Sequence, residues 1–490
     1  MVVSPAGFDG SLSQRQRRRL TRRPSDRAIV AALAITGLIA ASMQTLVIPI
    51  IPELPRLLDT TSNDASWVLT STLLAAAIGT PITGRLGDMF GKRRIALALL
   101  LILFAGSVVC ALSDTLVPLI VGRSLQGIGL GVIALGISIL RDVLHPKRLA
   151  SAVALVSATL GVGGAVGLPL SAVVAETLDW HYLFWLAALL SAIAVVLVLL
   201  IVPVSTLRTA GRFDYLGALG LAIGLTGILL AVSKGAEWGW SSLPVIGLLA
   251  GGVVVLLLWG LWELRVRDAL VDLVVAVRRP VLMTNLASIA VGFAYMVTAA
   301  ALPQLLESPT GTGVGLGQSL LVASLCLAPN GLVMFFMSPV AARLSTARGP
   351  RTSLILGGVI IALGYVVAVF LMTEVWHAVL IATIIGFGIG FAYAAMPTLI
   401  MNAVPATETA AANSLNSVMR TLGSTVAAAA VGVVLSSNEV VSQGVGVPTA
   451  AAFQWCFIMA AGVALAGVTV SFFIPRRTEQ YDTASIPVQA

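Results

Sequence analysis

The sequence Gly84-Arg-Leu-Gly-Asp-Met-Phe-Gly-Lys-Arg-Arg94 is a strongly charged segment that joins two long apolar runs, near 66–86 and 95–112. A helix that crosses a bilayer needs about 20 mostly apolar residues, and both runs are close to that length. The three glycines allow a tight turn and close packing of two helix ends. Asp88 is the single anion of the segment, and it can pair with an arginine or face a helix N-terminus. The pattern predicts two membrane-spanning helices joined by a charged loop.

The composition extends this prediction to the whole chain. Of its 490 residues, 58% are apolar and 10% are charged, and the mean hydropathy is +1.01. Soluble proteins carry roughly 45–50% apolar and about 25% charged residues, so a soluble multi-domain protein is excluded. The three Cys and three His are dispersed, which indicates neither disulfides nor a metal site. We expect no enzyme activity, no cofactor and no direct use of ATP, because no nucleophile–base set or phosphate-binding loop occurs.

The same length criterion, applied along the whole chain, predicts fourteen membrane-spanning helices. They lie near 28–50, 66–86, 95–112, 117–140, 149–174, 182–203, 214–233, 243–262, 281–303, 317–340, 353–372, 377–400, 415–436 and 451–474. The fifth of these spans is rich in Gly and the thirteenth contains Arg420. These two depart most from a uniform apolar run, and losing either would invert the topology after it.

The positions of the cations set the expected orientation. If both termini are cytoplasmic, inner loops and tails hold all but four of the 29 Lys and Arg residues, as the positive-inside rule requires. The exceptions are Arg56 and Lys234 in outer loops, and Arg123 and Arg420 inside spans. An arginine-rich run at 1–27 could bind nucleic acid or acidic lipid, but an orientation signal explains it more simply. We therefore expect a monomeric protein of the cell membrane, with lipid and no nucleic acid as partners.

Three short matches indicate an internal duplication. They pair 81–93 with 339–351 at an offset of 258 residues, 127–131 with 386–390 at 259, and 51–54 with 302–305 at 251. Three matches in order at near-equal offsets predict two six-span halves, with spans 7 and 8 inserted between them. Halves of this kind surround a substrate site near the bilayer midplane in transporters. The expected divisions are a basic tail at 1–27, a first half at 28–203, linker helices at 204–264, a cytoplasmic loop at 265–280, a second half at 281–474 and a tail at 475–490.

The charged loop resembles the signature loop of the major facilitator superfamily. Every key position of that loop is present, namely Gly84, Arg85, Asp88, Gly91, Lys92, Arg93 and Arg94. The resemblance implies the major facilitator fold, an all-α polytopic membrane fold, and a role for the loop as a latch between the halves. The second copy carries Thr346 where Asp88 would be, so only the first latch is complete. The alternative is a loop that only sets topology.

Two spans carry further resemblances. Span 4 is similar to the family's fourth-span motif, which implies a part in proton handling for Arg123, together with Gln126 and Gly127. An arginine inside a bilayer is costly and should face a cavity or a partner, unless it reaches the membrane surface. Span 5 loosely resembles a motif associated with exporters, and the residues concerned are Gly163, Gly164, Gly167 and Pro169. A small-residue helix interface is the equal alternative for span 5.

Four further features resemble the fourteen-span drug/proton antiporters, a resemblance that covers about 28–475. They are the start of span 7 at 214–217, the loop at 235–240, the end of span 8 at 262–265, and Arg420 with Gly423 in span 13. That branch usually has an acidic residue in the middle of span 1, where this chain has Met43. No Asp or Glu lies deep in any predicted span. A carboxylate that carries protons must then lie at a span end, and Glu53 and Glu307 are the candidates, because they follow the matched Pro52 and Pro303. The alternative is that both carboxylates only cap the outer surface of the protein and carry no protons.

These observations predict a secondary-active exporter of amphipathic or cationic small molecules, working by alternating access and proton antiport. The polar residues expected at its cavity are Gln44, Arg123, Gln126, Asn285, Asn330, Asn416 and Arg420. Each could equally form a hydrogen bond between helices. Two other functions stay open: export of one metabolite, lipid or self-made antibiotic, and a sensor or scaffold without transport. The complete loop around Asp88 argues against the scaffold.

Overall fold

The structure, a computed structural model, describes residues 24–205, 207–310, 315–442 and 445–475. Within these ranges fourteen helices are long and apolar enough to cross a membrane, which confirms the predicted number. We number them α1 Asp26–Ile51, α2 Asn63–Phe90, α3 Lys92–Ala111, α4 Leu116–Val143, α5 Pro146–Thr177, α6 His181–Ile201, α7 Tyr215–Trp238, α8 Leu243–Glu263, α9 Arg279–Glu307, α10 Leu320–Arg348, α11 Pro350–Phe370, α12 Val375–Ala403, α13 Ala406–Ser437 and α14 Ala450–Phe472. The predicted tails at 1–27 and 475–490 lie almost entirely outside the described residues.

The two spans that depart most from a uniform apolar run are both helices, of 32 residues each. Pro169 sits inside α5 without ending it. In α4, by contrast, the regular helix stops at Gly129 and resumes at Val132. Glycine has a low helix propensity, which favours an interruption at this point. Helices α5 and α13 are therefore both counted as membrane spans, and the total number of spans is even.

The helices form two halves, each with its own apolar core. Leu33, Leu100 and Phe184 belong to a core built mainly by α1–α6. Val297 and Phe453 belong to the core of α9–α14. Large apolar side chains also cover the outer surface, including Leu200 and Leu243, as expected of a surface that faces lipid. The chain is thus an all-α polytopic membrane protein with two six-helix halves and two inserted helices.

The inserted helices lie beside the junction of the halves. Leu221 and Leu225 of α7 pack in one apolar cluster with Ala77 of α2 and Val418 of α13. Lys234 anchors the other end of α7, because its buried ammonium donates to the main-chain oxygen of Asn63 at 3.0 Å. Helix α8 packs on α7 and is largely uncovered by the rest of the protein. The insertion is therefore a peripheral pair of helices rather than a third bundle.

The backbone repeats the duplication seen in the sequence. Gly91, after α2, has a φ of 103°, and Gly349, after α10, has a φ of 89°. These two glycines are 258 residues apart, and both adopt a conformation that residues other than Gly rarely adopt.

The connection after α2 and the connection between α12 and α13 lie on one side of the protein, which we call the basic face. A two-stranded antiparallel hairpin, β1 Glu439–Ser442 and β2 Val445–Pro448, lies between α13 and α14 on the opposite face.

Candidate functional site

At the basic face, Asp88 joins the end of α2 to the start of α13. Its Oδ2 accepts a hydrogen bond of 2.9 Å from the main-chain N–H of Ala411, and its Oδ1 accepts one of 3.3 Å from Ala410. The carboxylate is buried. The regular α-helix of α13 begins at Thr409, after a short 3-10 turn. The first N–H groups of an α-helix have no partner within it and carry a partial positive charge, so they stabilise an anion there. Of the two arrangements that the sequence allows for Asp88, the structure has the helix N-terminus rather than an arginine.

Lys92 extends this contact into a buried ionic network. Its ammonium lies 3.6 Å from Asp88 and donates to both oxygens of Asp142, at 2.8 and 2.9 Å. It also donates to the hydroxyl of Thr409 in the other half, at 3.2 Å. One ammonium thus holds two carboxylates of the first half against the start of α13. Sequence analysis did not identify Asp142 or Thr409, because their contacts join positions far apart in the chain.

The segment between α6 and α7 also takes part in this network. The main-chain N–H of Thr209 donates to the main-chain oxygen of Asp88 at 2.8 Å, and the hydroxyl of Thr209 donates to the main-chain oxygen of Thr407 at 2.8 Å. Arg141, at the end of α4, donates to the main-chain oxygen of Val404 at 3.1 Å. The linker and both halves therefore meet at one point of the basic face, which we call the latch network (Asp88, Lys92, Arg141, Asp142, Thr209 and Thr409).

The other residues of the signature loop have separate environments. Gly84 lies against Ser414 and Ala410 of α13, where a Cβ would meet the oxygen of Ala410 at 2.9 Å. Arg85 is buried and lines a cavity of about 380 Å³ with Glu263 and Glu408. Arg93 donates to the main-chain oxygen of Leu199 at 2.6 Å, and Arg94 is exposed. Close approach of α2 to α13 thus requires Gly84, whereas Arg93 and Arg94 do not reach the second half.

Arg123 is fully buried inside the first half. Its guanidinium donates to the main-chain oxygen of Met43 at 3.0 Å and to Oε1 of Gln126 at 2.7 Å, and Gln126 in turn donates to the hydroxyl of Ser107 at 2.9 Å. No carboxylate lies within ion-pair distance of Arg123 in the part of the chain that the structure describes, and its Nη2 atom has no hydrogen-bond partner there. In this conformation the side chain of Arg123 is enclosed by the first half and does not reach the surface of the protein.

The glycines of the fourth-span and fifth-span motifs make close helix contacts. Gly127 lies against the main chain of Thr72, and Gly163 faces Ala41, where an added Cβ would lie 2.5 Å from that of Ala41. Gly167 faces Thr45, and Gly164 looks towards Tyr295 of the second half. The fifth-span glycines therefore form a small-residue helix interface, and Gly164 brings that interface to the second half.

A cavity of about 100 Å³ lies between the two halves. Its wall includes Gln44 of α1, Thr80 of α2, Ile133 of α4, Tyr295 of α9, Tyr393 of α12 and Arg420 of α13. Pockets for drug-sized ligands usually measure roughly 300–1,000 Å³. The described conformation therefore encloses part of such a ligand, and a larger one requires the helices to move apart.

Arg420 is the charged residue of this cavity. Its guanidinium lies 5.0 Å from the ring centre of Tyr393 and donates to Asn416 at 3.2 Å and Ser417 at 3.3 Å. The amide of Asn416 donates to Asn285 at 2.9 Å and to Ser288 at 2.7 Å. Asn285 and Asn416 thus form a hydrogen-bonded layer behind Arg420 and do not line the cavity themselves.

The remaining predicted polar residues divide between the cavity and its surroundings. Gln44 lines the central cavity, while Asn330 lines a separate space of about 30 Å³ beside Tyr295 and Gly164. Tyr393 was not among the candidates, because an aromatic residue in an apolar span gives no sequence signal for a cavity. Pro397 lies one turn further along α12, inside the helix, where its nitrogen has no hydrogen to donate to the main-chain oxygen of Tyr393.

The two carboxylates proposed for coupling lie at the opposite face. Glu53 is exposed and pairs with exposed Arg56 at 3.2 Å. Glu307, the last residue of α9, is also exposed. Glu53 is open to solvent and Glu307 is only partly desolvated, so a role in coupling requires fuller burial of both in another state.

Comparisons with known proteins agree with this architecture. The family model of the Major Facilitator Superfamily matches residues 33–428 and, in a second match, residues 284–488. The lincomycin resistance protein LmrB of Listeria monocytogenes is 27% identical over 465 residues, covering 91% of this chain and 96% of the relative. An uncharacterized MFS-type transporter of Mycobacterium tuberculosis is 32% identical over 230 residues, and the match spans 46% of this chain and only 33% of that relative. A solved structure, the human organic anion transporter MFSD10, superposes with a TM-score of 0.64 over 92% of this chain and 100% of its own, at 15% identity, which shows the fold alone.

Proposed function

The chain belongs to the Major Facilitator Superfamily, and from that premise we propose that it is a secondary-active exporter of small amphipathic molecules, drugs or antibiotics among them. The relative named a lincomycin resistance protein, similar over almost its whole length, supports export of such molecules. The proposal places the protein as a monomer in the cell membrane with both termini in the cytoplasm. The basic face then faces the cytoplasm, as the distribution of Lys and Arg favours.

The observation that carries the proposal is the latch network at the basic face. Asp88 and Lys92 of the first half contact Ala411 and Thr409 of the second, and the contact is buried. A path from the central cavity to this face requires the contact to break. A contact made in one state and absent in the other biases the equilibrium between them. The network thus suits alternating access, with this conformation closed towards the basic face.

We propose proton antiport as the source of energy. The cavity wall, as far as the structure describes it, contains no carboxylate, so the proton must be carried elsewhere. Glu53 and Glu307 are the proposed carriers at the opposite face, provided that they become buried when that face closes. Asp88 together with Arg123, or the substrate itself, are the alternatives if these two carboxylates fail.

The function is tested by accumulation of a panel of fluorescent dyes and antibiotics in an efflux-deficient host, with and without an uncoupler. We expect the protein to lower accumulation of several amphipathic compounds, and the uncoupler to abolish the effect. Asp88→Asn should lower this export, and Thr346→Ala, at the exposed matching position of the second half, should leave it unchanged. Export of a single compound only would favour the narrow exporter, and no export of any compound at normal expression would contradict the proposal.

A further inference from the structure

We infer that the central cavity binds its substrate through an anionic group, such as a carboxylate or a sulfonate, and that Arg420 is the residue that binds it. The inference rests on the proposed export function and specifies the chemical class of its substrate. It keeps the expectation of amphipathic substrates from the sequence analysis and replaces cationic substrates with anionic ones.

The distribution of charge along the spans is the first argument. Every Asp and Glu within the fourteen described helices lies within two residues of a helix end. Arg420, by contrast, lies fourteen residues from the nearer end of α13, and Arg123 lies seven from the end of α4. The middle of the protein therefore carries positive charge without negative charge to balance it.

The surroundings of Arg420 are the second argument. Its described partners are the amide oxygen of Asn416, the hydroxyl of Ser417 and the ring face of Tyr393. All three are neutral. The two hydrogen bonds use two of the five N–H groups of a guanidinium, and the residue lines the cavity. Arg420 thus keeps both its charge and several N–H donors available to a bound substrate. A guanidinium is planar and can bind a carboxylate through two parallel hydrogen bonds.

Arg123 supplies an independent third observation. It lies behind the cavity wall, bonded to the main chain of Met43, next to the cavity residue Gln44. Its Nη2 atom has no hydrogen-bond partner among the described residues. In a low-dielectric interior an unbalanced cation acts over several ångströms. Arg123 therefore adds to the positive potential that Arg420 creates in the cavity, and a cationic guest is disfavoured by both residues.

The aromatic wall indicates what else the substrate carries. The rings of Tyr295 and Tyr393 lie 6.4 Å apart, centre to centre, and both line the cavity beside Arg420. A planar apolar body can pack on these rings while its anionic group reaches the guanidinium. The cavity thus suits an aromatic acid better than an aliphatic polyanion.

The test is direct binding of three probes that share one ring system. We would titrate the purified, detergent-solubilised full chain with 2-naphthoate, 2-naphthamide and 2-naphthylmethylammonium by calorimetry. We expect the anion to bind at least about tenfold more tightly than the cation, because a like charge placed next to Arg420 disfavours binding. The neutral amide should fall between them. Tighter binding of the ammonium, equal binding of all three or no binding of the naphthoate would overturn the inference, and this comparison needs no variant.

Variants then assign the effect to Arg420. Arg420→Gln should lose roughly tenfold in naphthoate affinity, Arg420→Lys should keep most of it, and Arg420→Glu should prefer the ammonium. Arg343→Gln is the matched control, because it removes the same charge from an exposed position of α10 outside the cavity wall. Unchanged naphthoate binding by Arg420→Gln that elutes and melts like the wild type would overturn the assignment.

The two proposals fail separately. Selective anion binding without export of any compound would leave the cavity assignment standing and remove the export function. Uncoupler-sensitive export of cationic dyes that 2-naphthoate does not inhibit would keep the export function and remove the anion site.

Discussion

The guanidinium of Arg123 donates a hydrogen bond to the main-chain oxygen of Met43, across a distance of 3.0 Å. By the resemblance to the fourteen-span antiporters, residue 43 matches a position that usually holds an acid, and here Arg123 meets the peptide carbonyl of a methionine instead. A buried arginine without a carboxylate is costly to hold in a membrane. Its neutral partners, Gln126 and the main chain of Val68 and Met43, are what stabilise it.

Substitution of Arg123 tests this arrangement. Arg123→Ala leaves Oε1 of Gln126 without its donor, and a buried unpaired acceptor costs about 1–3 kcal/mol. Arg123→Lys keeps the charge but cannot reach Met43 and Gln126 with a rigid fork. We expect melting temperature and export rate to fall in the order wild type, Lys, Ala. Equal export by the Ala variant at equal expression would contradict the prediction.

Asp88→Asn removes the charge that faces the start of α13 and the ion pair with Lys92. A charge at a partly buried helix N-terminus contributes up to about 2 kcal/mol, so we expect the balance between the two states to shift by roughly tenfold or more and export to fall accordingly. Membrane expression should stay near normal. The measurement is the initial rate of export into inverted vesicles, normalised to protein. Thr346→Ala is the control and should export at the wild-type rate.

The contact between the halves at Gly331 gives a prediction about packing. A Cβ on Gly331 of α10 would collide with the main-chain oxygen of Gly161 in α5. Gly331→Ala should therefore lower the melting temperature, since overpacking of this kind costs about 1–3 kcal/mol. Gly462→Ala is the matched control, because nothing lies within 4 Å of a Cβ at that exposed position. Equal melting temperatures for the two variants would show that α5 and α10 do not pack this closely.

Coupling is tested by Glu53→Gln combined with Glu307→Gln. If these carboxylates carry protons, the double variant should lose uphill export and keep downhill flux, because a neutral amide cannot release a proton. The assay follows dye export from energised vesicles and, separately, flux down a preset gradient. Uphill, uncoupler-sensitive export that survives both changes would move the coupling to Asp88 with Arg123, or to a proton carried by an anionic substrate.

The orientation is tested by reporter fusions at residues 1 and 490. With fourteen spans and the positive-inside distribution of charge, both fusions should report the cytoplasm. A fusion after Lys234, by contrast, should report the outer side. An outer signal from residue 490 would mean an odd number of crossings, in conflict with the helices α5 and α13.

The fold could be predicted in most respects because its determinants are local. A run of about 20 apolar residues specifies a spanning helix whatever the rest of the chain does, and charge between runs specifies which side each loop takes. The spans at 149–174 and 415–436 therefore became helices despite their Gly residues and Arg420. The duplication could also be recognised in the sequence, and Gly91 and Gly349 repeat it in their backbone conformation.

The candidate site divides differently. The sequence by itself determined that Asp88, Lys92, Arg123 and Arg420 need a partner or a cavity. A charged side chain in or beside an apolar run is otherwise costly to hold in a membrane. Only the tertiary structure decided what each one meets: Ala411 for Asp88, Asp142 and Thr409 for Lys92, Met43 for Arg123 and Tyr393 for Arg420. The physical reason is that hydropathy acts on each span separately, whereas a partner is chosen by how the packed helices are rotated and spaced, and that depends on contacts between residues hundreds of positions apart.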